Sequence, residues 1–110
     1  MTSWNAAALF CSRFARRETA TAKMHKFQQL LSGADVVCIQ EAHGHPGDIG
    51  TLDREAQSHM HFGSFTASPA AGGVLISISN SFAEGVDSFE ELVLSPGWCL
   101  ALRCTGRDLS

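Results

Sequence analysis

"DVVCIQEAHG", residues 35–44, decides how this chain is read. Val36, Val37, Cys38 and Ile39 are apolar and mostly β-branched, the composition of a short buried strand that closes on Gln40. Glu41 follows at the strand's C-terminal end, with Ala42, His43 and Gly44 behind it. A carboxylate there is either a solvated turn charge or a ligand delivered to the edge of a sheet. The residues on both sides decide between the two.

Upstream, "MTSWNAA" reads as a strand over 2–6, and "SRFARRETAT" (12–21) as a polar, basic connection. Thr21 is suited to cap the helix that follows. In "AKMHKFQQLLSG" (22–33), Met24, Phe27 and Leu31 recur at helical spacing with Leu30 beside them, and Gly33 suits a left-handed stop. Residues 2–6, 22–32 and 35–40 thus form a strand–helix–strand unit, which makes two parallel strands with a right-handed crossover.

Downstream, a second helix is expected near 48–58, capped by Asp48, with Ile49, Leu52 and Ala56 along one side. The period then drops to two. "MHFGSFT" (60–66) and "GVLISIS" (73–79) read as strands joined by the turn-rich "ASPAAGG" (67–73). Val74, Ile76 and Ile78 face one way, Ser77 and Ser79 the other. "SFEELVL" (88–94) and "WCLALRC" (98–104) pair around "SPG" (95–97), with Trp98, Leu100, Leu102 and Cys104 on one face. The fold class is α/β: a mixed sheet with helices on one face. Trp4 and Trp98 are expected in the core.

Composition narrows the function. The chain has 110 residues, 45% hydrophobic and 17% charged, consistent with one globular domain over 1–110. A net charge of −3 supplies no general attraction for nucleic acid. No apolar run approaches the roughly 20 residues that span a bilayer, and the basic residues of the N-terminal stretch follow its apolar ones, the reverse of a secretory signal. The expectation is an intracellular protein, cytoplasmic or nuclear, with no membrane partner. Cys11, Cys38, Cys99 and Cys104 form no CxxC pair and are read as reduced, mostly buried thiols.

Ligands of α/β sheets sit at the C-terminal ends of parallel strands. Two polar residues fall there, Asn5 and Glu41. A carboxylate and an amide oxygen are hard ligands suited to Mg²⁺, although one carboxylate holds that ion weakly.

The order "SWN" (3–5), helix, "ADVVCIQEAHG" (34–44), "GGVLISIS" (72–79) resembles the endonuclease/exonuclease/phosphatase superfamily. "IQEAH" (39–43) looks especially like the apurinic-type endonuclease domains of non-LTR retrotransposons. The resemblance covers the N-terminal half of that family's domain. It implies the first half of a two-layer α/β sandwich, and a Mg²⁺- or Mn²⁺-dependent phosphodiesterase acting on DNA or another phosphodiester. Glu41 is then the metal ligand, Asn5 a catalytic neighbour that helps fix metal and phosphate, and His43 a substrate contact. The metal stabilises charge on the phosphodiester while a histidine–aspartate pair activates water.

The departures from that pattern are equally specific. The Asp-x-Asn motif, the later aspartate ligand and the terminal Asp-His motif are absent from these residues. Both ends read as cut, and the inner sheet face, with Val74, Ile76, Leu100 and Leu102, is expected to lie open. The chain alone is therefore expected to fold poorly and to be inactive. The rival readings are a non-catalytic remnant or interaction module, and a small zinc protein using His43/His45 or His59/His61. Arg13, Arg16, Arg17, Lys23, His25 and Lys26 make the basic patch, which suits either a phosphate backbone or plain solvation.

Overall fold

The computed structural model describes residues 2–6, 9, 17–68 and 71–106, with side chains from residue 22 onward in the first helix. Strand β1 (Thr2–Asn5) leads to helix α1 (Arg17–Gly33) and strand β2 (Val36–Gln40). Helix α2 (Asp48–Glu55), strands β3 (His59–Ser64) and β4 (Val74–Ser79), and a single turn α3 (Asn80–Ala83) come next. Strands β5 (Ser88–Ser95) and β6 (Cys99–Thr105) close the described part. The domain is mixed α/β.

β1 and β2 run parallel, in register Thr2 to Val37 and Asn5 to Gln40. The sheet order is β1-β2-β4-β3, with β4 antiparallel to both β2 and β3. β5 and β6 form a separate antiparallel pair. The sheet is mixed, as the change of period implies. The insertion of β4 between β2 and β3 is a matter of pairing that periodicity does not encode.

Alternation sorts the sheet into two faces. Val37 and Ile39 of β2 stand in register with Ser77 and Leu75 of β4, which in turn oppose His61 and Gly63 of β3. This face carries the helices. Phe27 and Leu31 of α1, Leu52 of α2 and Ala56 beyond it join Val37, Ile39 and Leu75 in one buried cluster. Each large apolar side chain buried there contributes roughly 1.5–3 kcal/mol. Ile49, Met24 and Leu30 pack at its margin, as the helical spacing requires.

The opposite face carries Val36, Cys38, Val74, Ile76, Ile78 and Phe62. It is not left open. The β5–β6 hairpin leans on it, with β6 against β3 and β4 and the Phe62 and Phe89 rings 5.4 Å apart. Ile78 is buried, and Val74, Ile76, Leu100 and Leu102 are half-buried. The expectation of an open inner face is corrected to this extent, because the hairpin folds back over part of it.

Several local expectations change. α1 begins at Arg17, so Thr21 lies inside the helix and does not cap it. Gly33 is its last residue and does not have positive φ; the chain leaves through an Ala34 N–H bond to the Leu31 carbonyl. Asp48 is the first residue of α2, and its Oδ2 reaches back to accept from the His45 N–H at 2.8 Å. α3 escapes a periodicity reading because it is one turn, held by Ser79 Oγ accepting from Phe82 N–H. Trp4 packs against the core, whereas Trp98 is 59% exposed. Cys38 and Cys104 are half-buried and Cys99 is exposed, all three free, so the thiols are less enclosed than expected. Cys11, Arg13, Arg16 and the side chain of Arg17 lie outside the described residues. No described helix is long and apolar enough to cross a membrane.

Candidate functional site

Asn5 and Glu41 come together. Parallel pairing sets Asn5 beside Gln40, and the Ala6 N–H donates to the Gln40 carbonyl at 2.9 Å, carrying the pair one residue past the strand ends. Both residues line a cleft of about 450 Å³ between the hairpin-side face of the sheet and the β5–β6 turn. Cys38, Val74, Ile76 and Leu100 supply apolar wall; Asn5, Gln40 and Glu41 supply the polar rim. Among the described residues Glu41 is the one charged group lining it.

The backbone turns Glu41 outward at a conformational cost. Glu41 (φ 52°) and His43 (φ 56°) both occupy the left-handed region, uncommon for side chains other than Asn, Asp and His. Between them Ala42 is fully buried and its N–H donates to the Gly73 carbonyl at 2.9 Å. The His43 N–H donates to the Gly72 carbonyl at 2.9 Å. The buried Ala42 anchors the loop and leaves Glu41 in solvent. Among the described residues the Glu41 carboxylate makes no hydrogen bond or ion pair.

Glycines hold the opposite wall. Gly73 (φ 88°) lies so close to the Glu41 loop that a Cβ there would stand 2.7 Å from the His43 nitrogen. The Gly73 N–H donates to the Gly97 carbonyl at 2.7 Å, and the Gly97 N–H to the buried Ser64 Oγ at 2.9 Å. Gly97 (φ 78°) is the third residue of the turn Ser95–Trp98, closed by the Trp98 N–H on the Ser95 carbonyl at 2.9 Å. Pro96 at the second position and Gly97 at the third suit a type II turn.

The cleft's chemistry is that of hard oxygen donors. Burial pushes the Cys38 thiol up, so it stays protonated and gives a poor nucleophile at neutral pH. Among the described residues no three His, Cys, Asp or Glu side chains form a metal-holding group. One carboxylate beside amide oxygens does suit Mg²⁺, which keeps most of its waters and takes its remaining ligands from substrate phosphate.

His43 is half-buried on the same loop but does not line the cleft. His59 and His61 lie on the helix side of the sheet, both buried. His59 Nε2 meets the Ala34 carbonyl at 2.9 Å and its Nδ1 meets Ser58 Oγ at 2.8 Å. His61 Nε2 meets the Ala56 carbonyl at 2.8 Å and its Nδ1 meets Ser77 Oγ at 2.7 Å. The two rings share a face, as alternation requires, but all four nitrogens already serve internal partners.

A larger cavity of about 720 Å³ opens at the other end of β2 and includes Asp35, His59 and Ser79. Within it Ser79 Oγ donates to Asp35 Oδ1 at 2.7 Å, and both His59 nitrogens are bonded. We place the candidate site in the smaller cleft because it lies at the C-terminal ends of the parallel strands β1 and β2. The residues that sequence reading missed are Gln40 and Trp98. The "SPG" turn directly before Trp98 was the available signal, since it puts that residue at a loop edge. The chain matches no protein-family model, and no curated protein sequence matches it.

Proposed function

We propose that this chain carries the metal-side part of a Mg²⁺- or Mn²⁺-dependent phosphodiesterase site, of the endonuclease/exonuclease/phosphatase kind and acting on DNA. One observation carries the reading. Asn5 and Glu41, at the ends of adjacent parallel strands, open on one cleft, and the carboxylate is unpaired among the described residues.

In this reading Glu41 holds the ion and the Asn5 amide orients the phosphate beside it. A bound Mg²⁺ supplies Lewis-acid stabilisation of charge on a phosphate oxygen. The His43 N–H supports the loop through its bond to the Gly72 carbonyl, and its half-buried side chain on that loop is the proposed substrate contact. The general base comes from outside these 110 residues, which contain neither an Asp-x-Asn nor an Asp-His motif.

Two experiments test it. In the native polypeptide, Glu41→Ala abolishes Mg²⁺-dependent nicking of plasmid DNA. In the chain itself, Mn²⁺ broadens the amide NMR signals around residues 5 and 41, and Glu41→Gln removes that broadening. Broadening centred elsewhere, or unchanged by Glu41→Gln, overturns the reading. The interaction-module alternative then takes its place, favoured by Val93 (50% exposed) and Leu94 (70% exposed) on the hairpin.

A further inference from the structure

We infer that Trp98 is a stacking platform for a nucleobase, so that the cleft takes one unstacked nucleotide with its base on the indole and its phosphate toward Glu41. The phosphate end of this assignment rests on the phosphodiesterase reading; the base end rests on Trp98 alone.

Trp98 combines exposure with a rigid mount. The residue is 59% exposed although it lines the cleft that holds Asn5 and Glu41. The backbone beneath it is pinned three ways: by its own N–H to Ser95, by Gly97 to Ser64, and by Gly73 to Gly97. Gly72 (φ 64°) underlies one edge of the indole; a Cβ there would stand 3.3 Å from Cε2 of Trp98. An aromatic residue whose backbone is held in advance loses less freedom on binding.

The surrounding chemistry selects the ligand. Gln40 presents an exposed amide, which donates and accepts as a base edge requires. Cys38 and Leu100 offer apolar wall to a flat ring. The volume of about 450 Å³ accepts a single nucleotide and not a duplex. With a net charge of −3, the chain offers phosphates no broad cationic field. Recognition by stacking suits such a surface, and its salt dependence is shallow.

The test uses the full chain and a fluorescein-labelled pentadeoxyadenylate, read by anisotropy in EDTA so that no metal contributes. Saturable binding is expected. Trp98→Ala weakens it by roughly 5- to 150-fold, the range of base–aromatic stacking, and Trp98→Phe recovers most of the loss. Deoxyadenosine competes and deoxyribose 5-phosphate does not. Equal affinity in Trp98→Ala, absence of saturable binding, or competition by the sugar phosphate alone overturns the inference. If the Mn²⁺ experiment at Glu41 fails while Trp98 dependence holds, the phosphodiesterase reading falls and base stacking stands.

Discussion

His61 Nδ1 and Ser77 Oγ meet at 2.7 Å across the β3–β4 pair, and both side chains are buried. The other ring nitrogen, Nε2, faces the Ala56 carbonyl at 2.8 Å. A carbonyl only accepts, so Nε2 carries a proton, and in the neutral ring the serine hydroxyl donates to Nδ1. In the neutral ring these two contacts fix one tautomer, where α2 ends and the sheet begins.

That arrangement makes stability depend on pH. Burial pushes the His61 pKa below its ordinary 6.5, opposed only in part by the Ala56 carbonyl and Asp53. The unfolded chain then binds the proton more readily than the folded one. The stability contributed by neutral His61 is fully present above about 6.5 and is lost as pH falls from there through the lower folded-state value. Urea unfolding is expected to show a lower midpoint at about pH 5.5 than at about pH 7.5. His61→Gln should flatten the difference; an unchanged pH dependence would refute the assignment.

Ser77→Ala removes the donor and leaves His61 Nδ1 buried without a partner. A loss of roughly 1–3 kcal/mol is expected, the cost of an unsatisfied buried polar group. In a double-mutant cycle with His61→Phe the penalty of Ser77→Ala should shrink, because no buried ring nitrogen then waits for the serine. Additive losses would mean that the pair is not coupled.

Two glycines should respond in opposite directions. Gly33 lacks positive φ and a Cβ there meets nothing within 4 Å, so Gly33→Ala is expected to stabilise by roughly 0.4–1 kcal/mol through the unfolded state. Gly73 has φ 88° and lies against the His43 nitrogen, so Gly73→Ala is expected to destabilise by more than about 1 kcal/mol. It should also disturb the Glu41 loop, visible as amide shift changes at residues 41–43. Melting curves of the two variants decide the matter.

Glu41→Gly should give a more stable protein with a weaker site. Relief of the left-handed conformation at Glu41 is worth about 1–2 kcal/mol, and the added freedom of glycine in the unfolded chain offsets part of it. Thermal unfolding is expected to shift upward while Mn²⁺ broadening at residues 5 and 41 disappears. A destabilised Glu41→Gly would show that the residue is held by contacts and is not strained.

Local pattern was enough to find most of the elements. The helical spacing of Phe27 and Leu31, the spacing of Leu52 and Ala56, and the alternation of "GVLISIS" are consequences of which face each element buries. Those faces are buried in the structure. The strand–helix–strand order also placed Asn5 and Glu41 at neighbouring strand ends, since a parallel pair needs a crossover and sends both chains to the same edge. The role of that pair remains the proposal above.

What tertiary structure alone decided is long-range. The pairing of β4 between β2 and β3 joins segments whose order in the chain does not specify it. The hairpin's fold over the sheet brings Trp98 beside Glu41, 57 positions earlier in the chain, and turns an expected core residue into a cleft wall. The left-handed turn at Glu41 follows from the burial of Ala42 and its bond to Gly73, 31 positions on. His59 and His61 share a face as alternation requires, yet the carbonyls of Ala34 and Ala56 claim their nitrogens. Periodicity records which side of an element is apolar. Which partner a polar group meets is set by packing between distant segments, and in this chain that packing built the cleft.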